Sequence, residues 1–248
     1  MMKSSNPAFR EKTWSQAGTN VGGATMTLNG TAVKAGVLGA LLVGSAAWPW
    51  HMFFTSNAPV SALMPYVLVG TIGGFIVALM TIFKQTWAPV TSPMYAVLEG
   101  LALGGISAIY EYQYPGVAIQ GIALSFAVLG AFLLAYSTKV VRPSANFLQG
   151  VGMATGGIAI YYVIAMVMSM FGMHAPMMWD SGWLSIGFSL FVVAIASLNL
   201  FIDFNFIERN VEQGAPKYME WYGAFGIMLT MVWLYLEVLR LLSKLRSR

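Results

Sequence analysis

Hydrophobic residues occur along this chain in long, unbroken stretches that are separated by short polar linkers. A helix needs about 20 apolar residues to cross the hydrocarbon core of a bilayer, and seven stretches have this length. A transmembrane β-barrel would instead show segments of roughly ten residues with alternating polarity. The pattern therefore predicts an all-α integral membrane protein, with seven transmembrane helices at about 33–54, 61–83, 92–110, 117–137, 147–172, 182–205 and 219–242.

The composition supports a membrane protein and excludes several other classes. Of the 248 residues, 58% are hydrophobic and 9% are charged, whereas an ordinary soluble domain has roughly 25% charged residues. Because the chain has no cysteine, disulfides and thiolate metal sites are excluded. His51 and His174 are too far apart in sequence to suggest a histidine metal site. The formal net charge is +4, but the basic residues lie mostly in loops and tails, so we expect no nucleic-acid partner.

The distribution of basic residues predicts the orientation in the membrane. Residues 1–31 are polar and lack the apolar core of a signal peptide, so we expect a retained arm followed by a seven-helix domain at 32–248. Nine basic residues lie in the arm, the start of the first span and the second, fourth and sixth linkers, and none lies in the first, third or fifth linker. By the positive-inside rule, the N-terminus is cytosolic.

The basic C-terminal tail conflicts with this orientation. With seven full spans the C-terminus lies outside the cytosol, although it contains Arg240, Lys244, Arg246 and Arg248. Either the tail is exported despite its charge, or the last apolar stretch enters the membrane and turns back. Seven full spans are the favoured interpretation.

Small residues within the spans predict close contacts between helices. Lipid provides no hydrophobic driving force between transmembrane helices, so glycines that let backbones approach are common at their contacts. We expect packing to be the main role of these glycines, with room for movement or a narrow pore as the functional alternative. They are Gly70, Gly73 and Gly74, the pair Gly100 and Gly104, and Gly152, Gly156 and Gly157.

Asp203 is the most informative ionisable residue within a span. An aspartate near a helix centre costs about 2.5–3.5 kcal/mol on insertion scales, and Asn199 lies four residues earlier on the same helix face. A carboxyl group held away from water there favours its neutral form and can hold a proton near neutral pH. The pattern leaves two hypotheses open: a structural hydrogen bond between helices, or a carboxylate that senses protons or binds a cation.

The other intramembrane carboxylates leave similar alternatives. Glu99, in the third span, either donates a hydrogen bond as a neutral acid or lines a cation path. Glu220 begins the seventh span. For Glu237, spacing favours an ion pair with Arg240, three residues later. Asp180 is expected either to cap the sixth helix or to face water.

The motifs of common enzyme classes are absent from the sequence. It contains no H-E-x-x-H, G-x-S-x-G or P-loop pattern, and it lacks the G-x-G-D pattern expected of an intramembrane acid protease. We therefore expect neither an enzyme nor a cofactor.

Residues 199–208 (NLFIDFNFIE) resemble the end of the sixth helix of the Bax-inhibitor family, the YccA-like family with the transmembrane Bax inhibitor motif. Residues 234–242 (LYLEVLRLL) resemble its last helix, and residues 26–31, 92–100 and 154–157 are similar to a bacterial branch. The resemblance covers nearly the whole chain. It implies six helices around a central seventh, in a bacterial inner membrane.

The resemblance also implies an activity for some members, a pH-sensitive calcium leak. There, an aspartate on the sixth helix and one on the seventh share a proton, as close carboxylates do. Asp203 matches the first and Glu237 the second, with glutamate in place of aspartate. If 219–242 is one straight helix, Glu237 lies about 25 Å from Glu220 and too far from Asp203. If the first part of this segment turns back, the two acids lie at the same depth.

Two classes of function remain as expectations. The first is a leak for calcium or other cations with Asp203 and Glu237 as gate carboxylates, Asn199 beside them, calcium binding near Asp203, and Glu99, Glu220 and Arg240 in the pore or its polar network. The second is a non-conducting protein that modulates a membrane protease or another membrane protein in stress responses. The lipid bilayer is a partner in both.

Overall fold

Seven α-helices make up the transmembrane part of the protein. The computed structural model describes residues 24–56, 58–138, 144–173 and 182–247, and these ranges contain no β-strand, only an isolated bridge. Every helix is long and apolar enough to cross a membrane, so the predicted fold class is confirmed. They are α1 (Leu28–Thr55), α2 (Met64–Phe83), α3 (Ala88–Gln113), α4 (Val117–Ser137), α5 (Ala145–Met170), α6 (Trp183–Glu212) and α7 (Met219–Arg246).

Several helices extend beyond the apolar stretches that predict them. The largest difference is in α6, which ends at Glu212, seven residues after the predicted limit at 205. Gly214 stops it with a left-handed φ of 71°, and the amides of Gly214 and Ala215 bond back to the carbonyls of Val211 and Asn210, the pattern that commonly closes a helix. Asp203 therefore lies more than two turns inside α6 rather than at its end.

The last helix, α7, lies at the centre of the bundle. It has the largest buried share of the seven spans, and α1, α3, α4 and α6 pack directly against it. A side-chain hydrogen bond joins α5 to it, whereas α2 packs mainly against α3. The expected central position of the C-terminal helix is confirmed. Of the other helices, α2 and α5 have the least contact with it.

Glycines on α2 and α3 bring three helices into close contact, as predicted. A Cβ at Gly70 would lie 2.5 Å from the carbonyl oxygen of Leu98 on α3. A Cβ at Gly100 or Gly104 would overlap the backbone of α1 at Leu42 or Ala46. The same prediction is wrong for Gly156 and Gly157 on α5, because no atom of another described helix or loop lies within 4 Å of a Cβ built there.

The two ends of α7 lie at opposite faces of the bundle. At its start, Glu220 binds Thr27 just before α1, and at its end Arg246 donates a hydrogen bond to the carbonyl of Pro115 in the α3–α4 turn. Because α7 is continuous between these points, the last apolar stretch does not turn back. We call the face with Thr27 and Glu220 the arm side and the opposite face the far side.

Some predicted features fall outside the described residues. These are residues 1–23 of the predicted arm, His174, and the proposed capping residue Asp180. Of the remaining arm residues, 28–31 belong to the first turn of α1.

Candidate functional site

Buried polar side chains lie at separate levels along α7, each in contact with a different part of the bundle. Glu220 lies at the arm side, Thr230 near the middle, and Glu237 in the far half. At 1.5 Å per residue, these levels are about 15 Å and about 10 Å apart. The predicted site residues are therefore distributed over several groups along one helix.

Asp203 lies in the middle group, between α6 and α7. Its side chain is 0% exposed, and the Thr230 hydroxyl donates a hydrogen bond to Asp203 Oδ2 at 2.5 Å. Asn199 is also buried, one helical turn earlier. Its amide donates to Thr155 Oγ1 on α5 and to the Ile195 carbonyl, both at 2.8 Å. The i, i+4 spacing thus places a carboxyl and an amide on the buried face of α6, facing α7 and α5 respectively.

Glu237 belongs to a second group, in which α7 meets α5. The hydroxyl of Tyr162 donates to Glu237 Oε1 at 2.7 Å. Arg240 donates at 2.8 Å to both carboxylate oxygens and to the Tyr162 hydroxyl oxygen. The ion pair predicted from the i, i+3 spacing is confirmed.

The structure does not bring Asp203 and Glu237 together. The antiparallel helices α6 and α7 place Asp203 against Thr230 and Ser189 against Lys244, so the α6 residue level with Glu237 is Ala196, which packs in a cluster with Val238. Because α7 is one continuous helix, the level of Asp203, marked by Thr230, lies about 10 Å from Glu237 along its axis. Of the two geometries considered from the sequence, this is the one that separates them.

Glu220 forms a third group, at the arm side. Its buried carboxylate accepts hydrogen bonds from the backbone amide and the hydroxyl of Thr27, both at 2.9 Å. Lys217 binds Oε1 at 2.7 Å and Lys34 binds Oε2. Two cations and two neutral donors thus compensate a carboxylate that burial alone would destabilise.

Glu99 lies apart from these groups, where α3 packs against α2. A Cβ on Gly74 would lie 2.8 Å from Glu99 Oε2, so the missing side chain of Gly74 makes room for the carboxyl group. Within the described residues, Glu99 has no hydrogen-bond or ion-pair partner.

Sequence reasoning missed most of the partners in these groups. Thr155, Tyr162 and Thr230 are single polar residues in apolar spans, and their spacing gives no signal because each bonds to another helix. Lys244, which the sequence places in a basic tail, instead lies inside α7, is 5% exposed, and donates to Ser189 Oγ at 2.9 Å. The spacing of Lys244, four residues after Arg240, was the signal in the sequence that could have placed it on the same helix face.

The described residues contain no cluster of acidic and histidine side chains of the kind that commonly holds a metal ion, since no group of three or more such side chains converges among them.

Together, these features define a polytopic helical membrane protein whose central helix is bordered by buried carboxylates. The sequence model of the Bax inhibitor 1 like family matches residues 6–247, and the chain belongs to that family. Comparison with curated proteins gives no match, and neither does comparison with solved structures. The resemblance found in the sequence is thereby confirmed at the level of the family, and the bacterial branch stays a prediction.

Proposed function

We propose that this protein is a proton-sensitive cation leak, with calcium among its ions, in which Asp203 is the responsive carboxyl group. The observation that supports the proposal is the complete burial of Asp203 at the contact between α6 and the central helix. Burying a carboxyl group in such a place is much less favourable when the group is ionised than when it is protonated. Because pH determines whether Asp203 is charged, it also influences how stably α6 packs on α7.

The geometry gives Glu237 a different role from Asp203 in this proposal. Glu237 is compensated by Arg240 and Tyr162, so its charge is held by a fixed partner. We assign Asp203 to gating and the Glu237 group to the attachment of α5 to α7. Membership in the Bax inhibitor 1 like family supports a membrane role, and the proposal assigns the protein no enzymatic activity.

The test is calcium efflux from liposomes that contain the purified protein, measured from acid to alkaline pH. We expect efflux above that of protein-free liposomes, with a clear dependence on pH. Asp203→Asn imitates the protonated carboxyl at every pH, so this variant should keep the efflux that the native protein shows at its acid limit. Efflux equal to that of protein-free liposomes at every pH would refute the leak.

The matched control is Glu212→Gln, because this exposed carboxylate lies on the same helix. It should retain the native pH profile. Thermal unfolding in detergent reports whether each variant is folded, and Thr230→Val, which removes the hydroxyl that binds Asp203, should shift the profile without abolishing it. A native profile in Asp203→Asn would remove this residue from the mechanism even if the protein conducts.

A second candidate is a non-conducting protein that binds a membrane protease or another membrane protein. The observation that favours it is the charged surface at the arm side, where Arg209, Glu212 and Lys217 are exposed. Recovery of a stable membrane partner that is unaffected by Asp203→Asn, together with absent efflux, would support this alternative. In both cases we propose a bacterial inner-membrane location with a cytosolic N-terminus, because the arm side contains the basic linkers.

A further inference from the structure

Residues 24–27 form an extended segment, here called the strap, across the arm-side end of the bundle. It pairs with the α6–α7 loop in antiparallel fashion, with a bridge between Thr25 and Pro216. The amide of Met26 donates to the Ala215 carbonyl at 2.7 Å, and the amide of Lys217 donates to the Ala24 carbonyl at 3.1 Å. The strap thus connects the start of α1 to the start of the central helix.

Met26 is the part of the strap that enters the bundle. Its side chain is 1% exposed, although the strap residues on either side of it are exposed. Met26, Thr31 and Ile207 converge on Gly223 of α7, with Met26 Cε 3.2 Å from the position of a Cβ there. A flexible apolar side chain fills this kind of irregular space well, and here it covers the arm-side start of the α6–α7 contact.

Polar contacts next to Met26 also hold the strap in place. Thr27 donates twice to Glu220, and its hydroxyl also accepts the Gly30 amide as the cap of α1. Lys34 and Lys217 hold the same carboxylate. Farther along α7, the interval between Glu220 and Thr230 is filled by buried Tyr222, Phe225 and Met228. Asp203 is thereby separated from the arm side by the strap and by this apolar interval.

We propose that the strap is an autoinhibitory cover, which must leave the end of α7 before ions or water reach the α6–α7 contact from the arm side. The inference rests on the proposed leak for its functional consequence, but the cover itself is a structural claim. Displacing these four residues breaks two backbone hydrogen bonds to the loop, the two hydrogen bonds that Thr27 donates to Glu220, and the apolar contact of Met26. It is a local opening that leaves the packing of the helices on one another unchanged.

Accessibility labelling tests the cover without any measurement of ion flux. The chain has no cysteine, so a single Ile207→Cys residue behind Met26 can be labelled with a water-soluble maleimide. We expect slow labelling in the otherwise native chain and labelling about tenfold faster or more when Met26→Ser is added, because a buried apolar anchor is lost. Thr27→Val, which keeps the shape but loses the hydroxyl bond, should give a smaller increase.

Two controls keep the labelling interpretable. Gln213→Cys, at an exposed loop position, should react quickly in every background. Leu28→Ser removes an apolar side chain next to the strap that is 49% exposed, and it should leave Ile207→Cys slow. If Ile207→Cys reacts equally in the native, Met26→Ser and Thr27→Val backgrounds, the strap is no cover and the inference is overturned.

A reversible lock tests the functional consequence. Cysteines at Thr25 and Pro216, which face each other in the antiparallel bridge, are spaced for a disulfide. Oxidation should lower calcium efflux severalfold at the permissive pH, and reduction should restore it. Unchanged efflux on oxidation, in a protein that conducts, would overturn the autoinhibitory role. If no variant conducts at any pH, the proposed leak fails, while the labelling still decides whether the strap covers the bundle.

Discussion

Gly30 shows how a single missing side chain can decide the position of a buried charge. The Glu220 carboxylate lies where a Cβ on Gly30 would be. Any larger residue at position 30 must push this carboxylate away from Thr27, Lys34 or Lys217. The preference for glycine there comes from a contact across about 190 residues of chain, which sequence reasoning has no means to detect.

We expect Gly30→Ala to lower the free energy of unfolding by about 1–3 kcal/mol, the usual cost of overpacking a filled site. Chemical unfolding in detergent measures this change. The matched control is Gly36→Ala on the same helix, where nothing lies within 4 Å of the new Cβ, and this variant should be neutral or slightly more stable. Equal effects of the two substitutions would contradict the close contact between Gly30 and Glu220.

The contributions of Glu237 and Arg240 to the free energy of unfolding should depend on each other, because the two side chains form an ion pair. Removing one partner of a buried ion pair leaves an uncompensated charge, which typically costs about 3–5 kcal/mol. We expect Arg240→Met alone to destabilise the protein by an amount near the lower end of this range, because the buried Glu237 carboxylate loses its cation but keeps the hydrogen bond from Tyr162. In the background of Glu237→Gln the same substitution should cost much less.

A double-mutant cycle of unfolding free energies measures this coupling. The four proteins are the native chain, Arg240→Met, Glu237→Gln and the double variant. Strictly additive effects would show that the two side chains act independently in the folded protein.

The residues of the site were only partly predictable. Asp203, Asn199, Glu220 and Glu237 stand out because charged and amide side chains are expensive in a membrane, and the Glu237–Arg240 pair follows from its local spacing. Their partners on other helices, such as Thr230 and Tyr162, do not stand out. A hydroxyl in an apolar span has little cost of its own, so only the packing of the helices reveals what it binds.

At the scale of the helices, α5 is the element with the weakest attachment. Among the described residues nothing lies within 4 Å of a Cβ built on Gly150, Gly156 or Gly157, and α5 packs mainly against α6. Its polar attachments among the described contacts are Thr155 to Asn199 and Tyr162 to the Glu237 group. Gly156 and Gly157 on α5 therefore do not have the packing role that Gly70, Gly100 and Gly104 have on α2 and α3.

We expect Tyr162→Phe to loosen α5 selectively. The substitution keeps the ring but removes a hydrogen bond to a charged group, which is worth about 1.5–3 kcal/mol. Hydrogen exchange of peptides from Ala145–Met170 should accelerate by about tenfold or more. Peptides from α1 and α3 serve as the internal control, and a uniform acceleration across all helices would contradict a local role for this bond.

Helix number was predictable, and helix length was less so. Apolar stretches give the part of each helix that lies in lipid, but a helix continues into water as long as its backbone is satisfied. For α6 the end depends on Gly214 and its two backbone bonds. The helix therefore ends at Glu212, seven residues after the limit predicted from the apolar stretch, and Asp203 lies deeper in the helix than the sequence suggested.

At the scale of the whole molecule, the continuous α7 predicts that the chain ends on the face opposite its arm. Single cysteines at Gln213, in the arm-side loop, and at Ser247, after α7, are both at exposed positions. An impermeant maleimide added to sealed, oriented vesicles should label one of them from outside and the other only after permeabilisation. Labelling of both from the same side would contradict seven full spans.

This topology also explains why the basic tail was ambiguous in the sequence. The charges at the end of the chain are not all free in water, since Lys244 is buried against Ser189 and Arg246 binds the Pro115 carbonyl. The positive-inside rule counts residues in solvated loops. Basic residues that bind within the bundle are misleading when they are counted by this rule. Only the three-dimensional contacts distinguish them from basic residues in solvated loops.

The close approach of α3 to its neighbours restricts where the protein can change shape. Backbone touches backbone at Gly70, Gly100 and Gly104, and surfaces interlocked this tightly cannot slide without collisions. The first three helices should consequently behave as one rigid block. Any widening of the bundle must then be accommodated by displacement of α4, α5 or α6, and a binder that clamps these helices to α7 should arrest the protein in a single conformation.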